Sequence, residues 1–265
     1  MLGDPVAHSL SPAMHNSAIA ALGLDAVCVA LRVRSEGVES LVRELAAAGA
    51  GLNVTVPHKR RVAAMLDDAS EAVARTGACN TVWARDGGLA GDNTDVAGVA
   101  DAAARLVGER PVRRALIVGT GGAARAAAVA VAERWPGAVI ESLSRGEDRA
   151  RQFVEWARGA GLEACRDEGG PAELMINATP LGLDPRDPLP LDRERLRRRA
   201  PTAVLDLVYA RGRTAFVRAA GELGIRAEDG RGVLLCQGAA SFRRFFGVQP
   251  PRDVMRAAVE AALGE

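Results

Sequence analysis

Lys59 is the only lysine in this chain, and every other long basic side chain is arginine. Arginine keeps its proton in a protein, whereas an ammonium can give one up and, once neutral, take one back. Lys59 closes the run Asn53-Val54-Thr55-Val56-Pro57-His58-Lys59. The apolar stretch 52–56 predicts a buried strand, and Pro57 suits the first turn of a helix. Lys59 then falls just past a strand's carboxyl end, where open α/β sheets bind ligands. By type alone, a lysine at a helix start is an ordinary surface residue. The surrounding stretches favour proton transfer instead.

Ser9 and Ser11 stand two apart in His8-Ser9-Leu10-Ser11-Pro12, ahead of a helix expected over 13–22. In extended chain their hydroxyls share one side, and two hydroxyls before a helix N-terminus can hold a carboxylate. Plain capping by Ser11, with Pro12 at the first helical position, is the ordinary alternative, and the two readings are compatible. Asn80 and Asp95 lie at the two ends of a hairpin expected to turn at Asp86-Gly87-Gly88. Asp95 is also the natural N-cap of a helix over 96–106.

Residues 114–118 predict a strand feeding Gly119-Thr120-Gly121-Gly122-Ala123-Ala124-Arg125 and a helix to about 134. This is G-x-G-x-x-A between a strand and a helix, a dinucleotide-binding context. Gly119 allows the tight turn, Gly121 lets backbone approach a pyrophosphate, and Ala124 lets helix and strand pack closely. The second strand, about 138–143, ends in Ser144-Arg145, with Arg149 a turn later. An NAD site would carry an acid there for the ribose; arginines suit a 2′-phosphate and favour NADP. Glu141, the competing acid, reads as interior to the strand. Further strands are expected within 174–182 and 203–209, and Tyr209, the only tyrosine, stands at the carboxyl end of the latter. A lone tyrosine is more often packing than chemistry, but this is a ligand-binding location.

The positioning elements follow from pattern. A strand is expected over 26–33, then a helix capped by Ser35 and ended near Gly49 and Gly51, then the Lys59 strand. Helices follow to about 66 and over 70–75. This alternation implies parallel pairing through right-handed crossovers. Gly230-Arg231-Gly232 opens a helix through Gln237, and Pro250-Pro251 begins the last one. At 265 residues, 48% apolar and net charge +1, the chain has a soluble globular composition with room for one large domain or two modest ones. Near-neutral charge argues against nucleic acid or anionic membrane as partner. Arg193, Arg195, Arg197, Arg198 and Arg199 read as a solvated helix face. Cys28, Cys79, Cys165 and Cys236 form no CxxC pair, which disfavours zinc and a disulfide framework. No stretch is long and apolar enough to span a bilayer, and no basic-then-apolar leader precedes the first motif, so the cytoplasm is expected.

Together HSLSP, NVTVPHK, GACNT, GDNTD, GTGGAAR, NATPLG, the DLVY strand end and GVLLCQGA resemble the shikimate dehydrogenase family over nearly the full chain. Their order and spacing make the match specific. The resemblance implies an α/β enzyme of two domains. One is an N-terminal α/β substrate domain with a mostly parallel sheet, residues 1–96 plus 231–265, to which the C-terminal helices return. The other is a Rossmann-type NADP-binding domain, residues 97–230. The implied activity is reversible NADPH-dependent reduction of 3-dehydroshikimate to shikimate in aromatic amino-acid biosynthesis, by a monomer or homodimer. Lys59 and Asp95 would be the catalytic pair. Ser9 and Ser11 would hold the substrate carboxylate, and Thr55, Asn80, Tyr209 and Gln237 the rest of the substrate. Gly119, Gly121, Gly122, Ala123, Ser144, Arg145, Arg149 and Thr179 would hold NADP. No metal is implied. The chemistry agrees: hydride reaching a ketone carbon leaves charge on oxygen, and an ammonium positioned by a carboxylate stabilises and protonates it.

Three departures from the family are visible. Its full first strand is reduced to Met1-Leu2, so either that strand is shortened or the reading frame opens upstream. Val96 replaces a glycine, and Ser144-Arg145-Gly146 replaces Asn-Arg-Thr. The alternatives are a quinate/shikimate dehydrogenase using NAD and a non-catalytic shikimate-binding relative. Lys59 and Asp95 count against the second.

Overall fold

Apolar strands alternating with helices build two units in the computed structural model, which describes residues 1–264. The units are Met1–Ala97 with Leu234–Glu265, and Gly98–Val233.

The first unit contains β1 (Leu2–Gly3), α1 (Ser11–Ala21), β2 (Leu31–Arg32), α2 (Val38–Ala47), β3 (Leu52–Asn53), α3 (Lys59–Ala63), β4 (Asp68–Ala69), α4 (Glu71–Thr76), β5 (Thr81–Arg85) and β6 (Gly88–Asp92). β1 and β2 pair in parallel, and a parallel bridge joins Leu2 to Val54 just past β3. β3, β5 and β6 pair antiparallel, and β4 adds to β6 in parallel. The β5–β6 hairpin turns at Asp86 (φ 51°) and Gly87 (φ 81°). Positive φ at both central residues matches the right-handed twist of the strands. α2 buries Val38, Val42 and Ala46, one helical stripe, against Leu2, Leu52 and Val82.

Three local expectations change. The strand expected over 26–33 is confined to Leu31–Arg32. β1 offers it only Leu2 and Gly3, the Met1 ammonium donates to Val29 O at 2.8 Å, and Asn16 holds both backbone groups of Cys28. Ser35 does not cap α2, whose N-cap is Gly37 after a turn closed from Gly37 N–H to Arg34 O. Pro57 lies before α3, not inside it: its peptide with Val56 is cis, and a turn from His58 N–H to Thr55 O precedes the helix.

α5 (Thr94–Val107) leads into the second unit, with β7 (Arg114–Val118), α6 (Gly122–Arg134), β8 (Val139–Leu143), α7 (Glu147–Gly159), β9 (Ala164–Arg166), β10 (Leu174–Asn177), α8 (Arg193–Arg199), β11 (Ala203–Asp206), α9 (Ala215–Glu222) and β12 (Arg226–Glu228). α10 (Arg231–Phe246) returns to the first unit, which α11 (Arg252–Leu263) completes. The six strands are all parallel, in the order β12-β11-β10-β7-β8-β9. This is the Rossmann order, and β7 and β10 are neighbours at its switch point. β10 and β11 are buried throughout, as strands covered on both faces must be.

Glu141 lies inside β8, fully buried, bonded by Arg199 of α8 and by Arg114 at 2.5 Å. It is therefore not a ribose ligand. Arg199 is itself buried and also meets Asp167 at 2.7 Å, which corrects the reading of all five arginines as a solvated face. Glu141, Cys165 and Glu168 gather within 4.8 Å, but the two arginines already occupy the carboxylates, making this an ion-pair network. Among the described residues no helix is long and apolar enough to cross a membrane.

Candidate active site

Lys59 opens α3, and Asp95 sits in the first turn of α5. Lys59 Nζ donates to Asp95 Oδ2 at 2.5 Å. Asn80 Nδ2 donates to the other oxygen, Oδ1, at 2.8 Å. The Asn80 side-chain oxygen, Oδ1, accepts from the backbone N–H of Thr94 at 2.9 Å and from the Thr81 hydroxyl at 2.8 Å. One buried amide thus caps α5 and aims its aspartate. Asp95 is not the N-cap expected from sequence: the helix starts a residue earlier, and its carboxylate is left for the lysine. The Lys59 and Asp95 side chains are 19% and 20% exposed. Such a pair is less screened than a surface ion pair, yet a ligand can still reach it. Cys79 N–H bonds to Lys59 O at 2.9 Å, tying α3 to the segment that carries Asn80 just before β5. His58 is buried beneath, its Nε2 2.7 Å from Val33 O.

Ser9 and Ser11 come together by a turn rather than by extended chain. Leu10 is helical in φ and ψ and is the N-cap of α1, without a side-chain capping bond. Ser9 Oγ accepts from Ser11 N–H at 3.3 Å, and the Ser11 hydroxyl has no hydrogen-bond partner among the described residues. Capping by Ser11 is thereby corrected, and its hydroxyl is available to a ligand. Thr55 N–H bonds to Leu2 O, and its methyl lies against Gly3 so closely that a Cβ there would sit 2.4 Å away. Gln237 of α10 donates to Leu234 O at 3.0 Å, leaving its side-chain oxygen free. α1 and α10 meet at Gly238, where a Cβ would come within 2.1 Å of Met14 Cε. That crossing fixes Ser11 and Gln237 relative to one another.

In the second unit a cavity of about 390 Å³ lies at the switch point, lined by Gly119, Thr120 and Gly121 after β7, by Ser144 and Arg145 after β8, by Arg149 of α7, and by Thr179 after β10. Gly119 has φ 115°, and a Cβ on it would press on Ala178 O at 2.9 Å. A Cβ at Gly121 or Gly122 would meet nothing within 4 Å, so backbone N–H groups at the start of α6 are open to a ligand. Ala123 follows in the first turn, and Ala124 is fully buried against the sheet. Open amides at a helix start, and arginines beyond the second strand that have no ion pair among the described residues, fit a dinucleotide with a 2′-phosphate.

Sequence reasoning missed the residues that hold this loop. Asn177 Oδ1 accepts from Thr179 N–H and Oγ1 at 3.0 and 2.7 Å, and its amide donates to Asp206 at 2.7 Å. Asp206, fully buried, also takes the Thr214 hydroxyl at 2.7 Å, and burial raises its pKa. Both residues sit in the NATPLG and DLVY stretches, where a buried polar residue at a strand end was the available signal. Tyr209 lies three residues past β11, half-buried, its pKa raised by desolvation. Arg195 of α8 also lines the cavity.

The family model of the shikimate dehydrogenase substrate binding domain matches residues 1–82, and that of the shikimate 5′-dehydrogenase C-terminal domain matches residues 230–260. The shikimate dehydrogenase (NADP(+)) of Rubrobacter xylanophilus is 43% identical, over 98% of this chain and 94% of its own length. The Thermus thermophilus shikimate 5-dehydrogenase, solved in complex with NADP(H) and shikimate, is 37% identical with a TM-score of 0.87, over 99% of this chain and 98% of that one. The 5-ketofructose reductase of a Gluconobacter strain, solved without ligand, is 30% identical with a TM-score of 0.85, over 98% and 96%.

Proposed function

The chain belongs to the shikimate dehydrogenase family, and from that premise we infer that it reduces 3-dehydroshikimate to shikimate, reversibly, with NADPH. The observation that carries the reading is Lys59 held on Asp95 by Asn80, in a chain of this family. NADPH supplies the hydride when bound. As charge grows on the substrate oxygen, Lys59 Nζ meets it and donates a proton. Asp95 keeps the ammonium aimed; in the oxidative direction the neutral amine takes the proton back. Ser9 and Ser11 bind the carboxylate, while Thr55, Asn80, Gln237 and Tyr209 bind the ring oxygens.

Residues 97–230 act as the NADP domain and the remainder as the substrate domain. Gly119, Gly121, Gly122, Ala123 and Thr179 take the pyrophosphate side, and Ser144, Arg145 and Arg149 the 2′-phosphate. The enzyme works in the cytoplasm as a monomer or homodimer, without nucleic acid, in aromatic amino-acid biosynthesis.

Steady-state turnover of shikimate and quinate with NADP and with NAD, on wild type and Arg145→Ala, tests this reading. Shikimate with NADP should give the highest kcat/KM. Losing a charge-assisted contact worth about 1.5–3 kcal/mol should weaken NADP roughly tenfold or more and leave NAD nearly unchanged. A wild type that prefers NAD or quinate, or that reduces a neutral sugar ketone equally well, overturns it.

A further inference from the structure

The arginines of α8 are sorted by their partners. Arg193 pairs with Glu222 and Arg198 with Glu194, each at 2.6 Å, while Arg199 is buried on Glu141 and Asp167. Arg197 lines a separate depression with Arg110 and Arg226. Arg195 resembles Arg197 in having an unpaired guanidinium among the described residues, and differs from all four in the cavity it lines. Its backbone N–H is held by the cap residue Asp192 at 2.8 Å, but its guanidinium has no ion pair or hydrogen bond among the described residues. It lines the switch-point cavity together with Gly119, Gly121, Arg145 and Arg149, and no acidic residue lines that cavity.

Three guanidiniums around one cavity without a carboxylate repel one another, and a bound dianion reverses that repulsion. Gly146, where the family carries threonine, contributes no side-chain donor. We propose that Arg195 is a third cation for the 2′-phosphate of NADP and sets cofactor preference together with Arg145 and Arg149. This assignment rests on the NADP reading above. A guanidinium on a phosphate dianion makes a charge-assisted fork that a ribose hydroxyl cannot match. The effect of Arg195 is therefore confined to nucleotides bearing the 2′-phosphate.

Calorimetric titration of the full chain with 2′,5′-ADP and with 5′-AMP tests it, on wild type, Arg195→Ala, Arg195→Lys, Arg145→Ala and the paired-arginine control Arg198→Ala. Arg195→Ala should weaken 2′,5′-ADP roughly tenfold and leave 5′-AMP unchanged. Arg195→Lys should recover part of the loss, and Arg198→Ala should match wild type. If Arg195→Ala behaves as Arg198→Ala does while Arg145→Ala loses 2′,5′-ADP, the role of Arg195 falls and the NADP reading stands. Equal loss for both nucleotides makes Arg195 an adenine or packing contact and overturns the proposal. If neither Arg145→Ala nor Arg195→Ala discriminates the two nucleotides, both readings fall.

Discussion

Asn80 makes one geometry out of a lysine and an aspartate that are 36 residues apart. With one oxygen of Asp95 on the amide and the other on the ammonium, Lys59 Nζ has few positions left. Lys59→Ala should therefore fold normally and lose roughly a hundredfold to ten-thousandfold in kcat, the ordinary range for a general acid. Lys59→Arg should fail as well, because it keeps charge but cannot transfer the proton. Measuring kcat alongside NADP affinity checks this; near wild-type turnover in Lys59→Arg would remove Lys59 from the proton-transfer role. At this scale the sequence was legible where a residue type was singular. Lys59 stands out because no other lysine competes with it. Asp95 was ambiguous, since an aspartate beside a helix start caps it in most chains. Only the fold shows that the cap comes from Asn80, 14 residues away.

Elements place these residues, and one tight junction is between β1 and the loop carrying Thr55. A Cβ at Gly3 would lie 2.4 Å from Thr55 Cγ2 and 3.3 Å from Val56 O. The threonine methyl can yield only by moving its hydroxyl, and the backbone oxygen cannot yield cheaply. Gly3→Ala should raise the KM for shikimate several-fold and cost about 1–3 kcal/mol of stability, the usual range for overpacking. NADP affinity should stay constant, since Gly119 and Arg145 lie in the other unit. Unchanged KM with lowered stability would show that Thr55 does not touch substrate. Elements with strong apolar runs, such as β7 and β10, were legible. The short edge strands β9 (Ala164–Arg166) and β12 (Arg226–Glu228) were not, because charged residues at a sheet edge resemble loop. The 26–33 segment read as a strand by its alternation, but strand length depends on a partner, and β1 has two residues to give.

At the scale of the whole molecule, the two units carry buried titratable groups of opposite sign. In the first, His15 stacks on Phe242 with centroids 5.9 Å apart, its Nε2 is buried without a partner, and desolvation lowers its pKa from 6.5 to about 4. The unfolded chain therefore binds a proton in a window where the folded unit does not. Stability from neutral His15 is complete above about pH 6.5 and is lost as pH falls toward about 4. Between pH 7 and pH 5 that amounts to about 2 kcal/mol. In the second unit, burial raises the pKa of Asp206, so its contribution runs the other way and favours the lower pH. Acidification from pH 7 to pH 5 should therefore weaken Met1–Ala97 with Leu234–Glu265 and spare Gly98–Val233. Native-state hydrogen exchange at both pH values reads this directly, through protection in α1 (Ser11–Ala21) against protection in β10 (Leu174–Asn177). In His15→Leu the absolute stability should fall with the lost stacking, but the acid-dependent part of the loss in α1 should largely disappear. If that variant loses protection in α1 between pH 7 and pH 5 as steeply as wild type, His15 is not the group that titrates.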